Sequence, residues 1–480
     1  MLNLTSMSQF SGVLINSIKK KYDYLYFFIL AIASFFFIIR FTPFLDKLFF
    51  VKAGNIHEHF IIPLIIIGAF IILSSMILFI GDNLIYNRNF FTTYFLFTVA
   101  AIIVIIVFGK LTYNIYIDEM RDVIVSNYIS ENSLTSYVNA DSGADLGTAQ
   151  ESILWAQRLH PPGHYIPAIF LPDNGYSVIL YRLLYVLPLI VFFIILFLGA
   201  NKFNKKSETF AIMAFTFMAF TFSLSFIRNY TFIRFGNELF PYIFVSGILI
   251  TVYYIVSIHK RFDPKYVALC MLLSVGAVWS KFTGLAMLGA LAGCLFLAWL
   301  IHRQACLWQA AIVVALSVVS ASVLYLVSFY GTPMLDAQAT TYLQRVADVL
   351  DPAAAQGLDV FQRQTPLMFL IKLPVTWGLP LFMGLTLWFL WAMRRRFVLR
   401  PEETVAVLLI LVGLAIVGVV FPRAQYTAPL MLAPVYLATL AVLSIFERIQ
   451  VIQFMVLVLL FSITEIVLRG TAGDSLMALP

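Results

Sequence analysis

The chain has 480 residues, 61% hydrophobic and only 11% charged, with a formal net charge of +7. Soluble domains carry roughly 25% charged residues, so a soluble enzyme is excluded and the positive balance is not that of a nucleic-acid-binding domain. Apolar runs of about 18–22 residues recur, each long enough to cross ~30 Å of hydrocarbon, which gives an all-α polytopic membrane protein; a β-barrel would show short alternating segments instead.

The first run starts near Tyr22, after Lys19-Lys20-Lys21, and ends at Arg40. It is long and lacks a small-residue cleavage site, so it reads as a retained helix and not a signal peptide. Further helices are expected over 60–80 and 91–109. The chain then turns polar over about 110–176, with short helices expected at 118–130 and 148–159 along the membrane surface. Apolar helices resume at 177–200, 208–226, 239–258, 266–280, 283–301 and 308–328. A second polar segment covers about 329–366 and is weakly helical over Tyr342–Asp359. Helices at 367–393, 404–421, 428–446 and 449–468 complete about thirteen spans. No repeat of fixed period and no soluble domain is visible.

Short loops rich in Lys and Arg face the cytoplasm. With the N-terminus inside, Lys19–Lys21, Arg88, Lys202, Lys205, Lys206, Lys260, Arg261, Lys265, Arg303, Arg394–Arg396, Arg400 and Arg448 all fall on inner connections. Both long polar segments then face outward. Cys270, Cys294 and Cys306 lie in or beside apolar runs without metal-ligand or disulfide spacing, and read as packing residues.

Five polar constellations fall on the outer side. YIDEMRD (116–122) places Asp118 and Glu119 at a membrane edge, where a carboxylate can act as general base; Arg121 shares a helix face with Asp118 and would keep it ionised. QRLHPPGHYIP (157–167) packs Arg158, His160, His164 and Tyr165 into a proline-stiffened turn. IRNYTFIRFGNELFPY (227–242) carries Arg228, Arg234 and Glu238 near an apolar boundary, the last two spaced as an ion pair. WSKFTG (279–284) sets Lys281 between two apolar runs, and FPRAQYTAPLMLAP (421–434) sets Arg423 and Tyr426 at a helix start. The ordinary readings are a solvated helix start, a polar lead-in, an ion pair, a snorkelling lysine and an interfacial anchor. Together the five supply a base and several cations, which suits group transfer away from a phosphate leaving group.

In this order — Asp-Glu after a helix, His-Pro-Pro, a Lys-Phe-Thr-Gly turn, and a late Arg-x-x-Tyr-x-x-Pro — the chain resembles the GT-C superfamily of membrane glycosyltransferases over roughly residues 91–445. The similar branch holds protein O-mannosyltransferases and the aminoarabinose transferases of lipid A. The resemblance implies a GT-C-like catalytic module over 91–480, preceded by an N-terminal transmembrane hairpin at 1–90. It also implies an inverting transfer from a polyprenyl-phosphate sugar to a lipid, glycan or protein acceptor on the extracytoplasmic face. Asp118 would be the base and Glu119 its support. His160, Arg158, Arg234, Lys281 and Arg423 would contact the donor phosphate. Arg121, His164, Tyr165, Arg228, Glu238 and Tyr426 would line the cavity.

The third motif departs from the family around Phe235-Gly236-Asn237, and the outer soluble domain of many relatives has no counterpart. No cofactor is expected. A divalent cation held by Asp118, Glu119 and Glu238 is the alternative suggested by oligosaccharyltransferases. His57-Glu58-His59 reads as an exposed loop cluster. The basic inner loops fit a bacterial inner membrane. The competing readings are a transporter or flippase, and a polymerase or ligase of surface polysaccharide. The transporter expects paired halves and midplane charges, which the sequence lacks.

Overall fold

The computed structural model describes residues 117–141, 149–170, 206–227, 239–259, 263–350, 379–420 and 424–447, with isolated positions at 188, 191–196, 377 and 450–458. The chain divides into two compact units, Met1–Tyr113 with Leu459–Pro480, and Asn114–Val458; every described residue lies in the second. The helices expected at 22–41, 60–80 and 91–109 and the N-terminal hairpin lie outside the described residues, as do most of 177–200 and 449–468.

Among the described residues there are helices and turns but no strand. In chain order they are α1 Ile117–Asn132, α2 Leu134–Asn139, α3 Gln150–Leu159, a 3-10 segment Pro162–Phe170, α4 Lys206–Ile227, α5 Leu239–Tyr253 running into a π-helical turn Tyr254–His259, α6 Pro264–Ser280, α7 Phe282–His302, α8 Ala305–Phe329, α9 Pro333–Leu350, α10 Leu379–Arg394, α11 Pro401–Val420, a second 3-10 segment Ala424–Leu430, and α12 Leu432–Ile445. Among the described residues, four helical stretches are long and apolar enough to cross a membrane: Leu239–Ser257, Phe282–His302, Ala305–Phe329 and Pro401–Gly418. The protein is a helical membrane protein.

Local chemistry sets the boundaries. Pro264 opens α6 after Asp263, where a missing N–H costs nothing. Arg303, in the left-handed conformation (φ 56°), closes α7 with its N–H on Trp299 O at 2.7 Å. α9 begins at Pro333, nine residues before the helix expected from Tyr342. The cause is a turn at Gly331 (φ 74°), a Thr332 hydroxyl that accepts the Leu335 N–H at 3.3 Å, and a proline at the first helical position.

The apolar helices pack in sequence: α5 on α6, α6 on α7 and α8, α7 on α8 and α11, and α12 on α4, α10 and α11. The polar segments do not lie as separate surface loops. α3 and α2 pack on α9, and one core unites Val125, Ile129, Tyr137, Ile153 and Tyr165 with Phe240 of α5, Val278 of α6, Tyr325 of α8 and Met334 of α9. The two polar segments thus form one cap on one end of the bundle. Cys270 and Cys294 are buried and free, and Cys306 is a half-buried free thiol.

Candidate functional site

α1 carries acids in its first turn, where the helix dipole favours them. Its inward stripe is Asp122, Val125, Ser126 and Ile129, the i, i+3, i+4, i+7 pattern of one helix face. Two of those four positions are polar, and Asp122 is fully buried. Asp118 stands one turn before Asp122. The side chains of Asp118 and Glu119 lie outside the described residues.

The QRLHPPGHYIP stretch ends α3 and enters the 3-10 segment. Pro161 forces the residue before it into extended backbone, and His160 has φ −121° and ψ 111° with its N–H still bonded to Ala156 O at 2.7 Å. The turn is locked from behind. Tyr137 OH donates to the His160 carbonyl at 3.1 Å, while Gln157 Nε2 donates to the carbonyls of Tyr137 and Ala140 at 2.6 and 2.9 Å. His160 and His164 are 1% and 0% exposed, with ring centroids 4.8 Å apart, between Trp155 on one side and Tyr165 and Phe240 on the other.

This turn meets α1 through Asp122. Tyr165 OH donates to Asp122 Oδ1 at 2.7 Å, and His164 Nε2 lies 3.8 Å from Asp122 Oδ2. It meets α6 through Gly163, where an added Cβ would stand 2.6 Å from Trp279 O. Two residues beyond Trp279, Lys281 breaks α6 from α7 in extended backbone (φ −168°, ψ 145°). Lys281 is 6% exposed, and its Nζ sits 5.1 Å above the Tyr426 ring, a cation–π geometry. The lysine is held inside the protein instead of snorkelling to the surface.

Scans against protein-family models, curated proteins and solved structures give no match.

Of the residues singled out by sequence, His160, His164 and Tyr165 share one cluster, and Lys281 and Tyr426 form a second, joined to the first by the Gly163–Trp279 contact. Arg121 reaches Glu151 of α3 at 3.0 Å and stacks 5.0 Å from the Trp155 ring, so it ties α1 to α3. Arg158 is exposed in the last turn of α3. Arg228, Arg234, Glu238, Arg423 and His57-Glu58-His59 lie outside the described residues. Asp122 was not singled out by sequence, although YIDEMRD contains it; the helix face that pairs it with Val125 and Ile129 is the signal that finds it. A cavity of about 440 Å³ lies elsewhere in the bundle, lined by residues such as Ile250, Tyr253, Val405, Tyr436, Leu440 and Glu402.

Proposed function

We propose that the protein is an inverting glycosyltransferase that moves a sugar from a polyprenyl-phosphate donor to a lipid, glycan or protein acceptor on the extracytoplasmic face of the membrane. The observation that supports it is convergence. The acid-bearing helix α1, the His-Pro-Pro-Gly-His turn and the Lys281 turn are far apart in sequence, yet they abut at one end of the bundle. That end is the outer one if the basic turns at Arg303 and Arg394–Arg400 face the cytoplasm.

In this reading Asp118 takes the proton of the acceptor hydroxyl. The hydroxyl oxygen attacks the anomeric carbon and the carbon–oxygen bond to phosphate breaks. The electron pair leaves with the polyprenyl phosphate, whose charge Lys281 stabilises from a site that excludes water.

The test is a transfer assay on purified protein in detergent, with polyprenyl-phosphate sugars and a membrane-lipid extract. Wild type transfers sugar, and Asp118→Asn loses at least ~100-fold while eluting as a folded protein. Near-normal transfer by Asp118→Asn would sink the base assignment. Substrate flux into liposomes with no covalent product would replace the enzyme with a transporter.

A further inference from the structure

Asp122, His160 and His164 each offer one ligand atom, and these atoms lie within 4.8 Å of one another. We infer that the three side chains form a binding site for a divalent first-row transition metal of the zinc type. Two imidazoles and a carboxylate, with one coordination place left for a water or ligand oxygen, are the donor set that suits Zn²⁺. Bonds of about 2.0–2.2 Å in a tetrahedron put ligand atoms roughly 3.4 Å apart. The 3.8 Å between His164 Nε2 and Asp122 Oδ2 is close to that spacing and too long for a hydrogen bond. His160 supplies the third ligand atom, within 4.8 Å of the other two.

The surroundings are those of a supported ligand set. Tyr165 holds Asp122 Oδ1, which orients the carboxylate and leaves Oδ2 toward His164. Tyr137 holds the His160 carbonyl. Outer partners of this kind fix ligands in place. Asp122 Oδ2 accepts no hydrogen bond among the described residues, and a carboxylate at 0% exposure needs a compensating charge. A bound ion would supply it and would pin α1, with Asp118 one turn away, to the histidine turn. This set differs from the carboxylate trio Asp118, Glu119 and Glu238 considered from sequence, and it does not depend on the glycosyltransferase reading. The competing account is a simple Asp122–His164 ion pair, which predicts no metal.

The experiment uses full-length protein in detergent, stripped with a chelator and monodisperse on size exclusion. Co²⁺ is the spectroscopic probe and Zn²⁺ the competitor. The expected result is one equivalent of Co²⁺ with the visible bands of a four-coordinate ion, displaced by Zn²⁺. His164→Ala, His160→Ala and Asp122→Asn each weaken binding at least tenfold. Tyr165→Phe, which removes only the outer hydroxyl, weakens it about tenfold. Should a ligand variant fail to fold, wild type and Tyr165→Phe carry the test, together with a rise in the wild-type thermal midpoint on adding Zn²⁺. Folded wild-type protein that binds no Co²⁺, or binding that Tyr165→Phe and His164→Ala leave unchanged, overturns the site.

Discussion

Gly163 has no room for a methyl group where the histidine turn packs against the backbone leading to the lysine turn. A Cβ there would stand 2.6 Å from the Trp279 carbonyl oxygen and 2.8 Å from its carbon. Both are backbone atoms that cannot swing aside. Gly163→Ala is therefore expected to cost about 1–3 kcal/mol, read as a lower thermal midpoint in detergent, and to reduce transfer beyond what the stability loss explains. Lys281 makes a second residue-scale prediction. Lys281→Met keeps the stem in its buried slot and removes the charge, so the fold survives while transfer falls by roughly 100-fold. Wild-type turnover in Lys281→Met would remove Lys281 from the phosphate site. His160, His164, Lys281 and Tyr426 were legible in the sequence as polar groups in apolar surroundings. Asp122 was not, because DEMRD offers three acids and only the folded helix shows Asp122 buried on a stripe with Val125, Ser126 and Ile129.

At the scale of elements, the turn between α10 and α11 rests on Glu403. Its buried carboxylate accepts from Arg395 Nη2 at 2.6 Å, from the Arg400 N–H at 2.8 Å and from Trp388 Nε1 at 3.4 Å. The contact to Arg400 is half of a capping box, with Pro401 at the first helical position. It holds a connection in which Arg396 and Phe397 both have positive φ. Glu403→Ala is expected to cost about 2–3 kcal/mol, and unfolding of α10–α11 reported by hydrogen exchange measures it. α10 also depends on Gly384, whose Cβ would fall 2.6 Å from Ala438 Cβ of α12. Small residues let apolar helices approach this closely. The expected helices 208–226, 239–258, 266–280, 283–301, 308–328 and 404–421 match α4–α8 and α11 within a few residues, because an apolar run long enough to span has no other stable form. The short helices at 118–130 and 148–159 match α1 and α3. α2, the 3-10 segments and the early start of α9 were missed, since they depend on turn residues and not on a hydrophobic period.

At the scale of the whole molecule, the turns sort into two groups. His302 meets Thr404 at 2.7 Å at one end, and Lys281 meets Tyr426 at the other, as alternating antiparallel helices require. The inner assignment of the basic turns is tested by cysteine labelling in a cysteine-free background. Gln304→Cys should stay protected from an impermeant maleimide in intact cells, and Tyr330→Cys should react. The reverse pattern would move the candidate site to the cytoplasm and remove the extracytoplasmic reading. The sequence by itself determined the helical membrane class, the apolar helices among the described residues and the pool of polar residues, because each follows from local hydropathy, charge and proline or glycine chemistry along a few turns of chain. Only the tertiary structure decided that the two polar segments form one cap, that Arg121 joins Glu151, and that Asp122 meets His160 and His164. Those contacts join residues distant in sequence, and no local pattern specifies which of several compatible faces becomes buried.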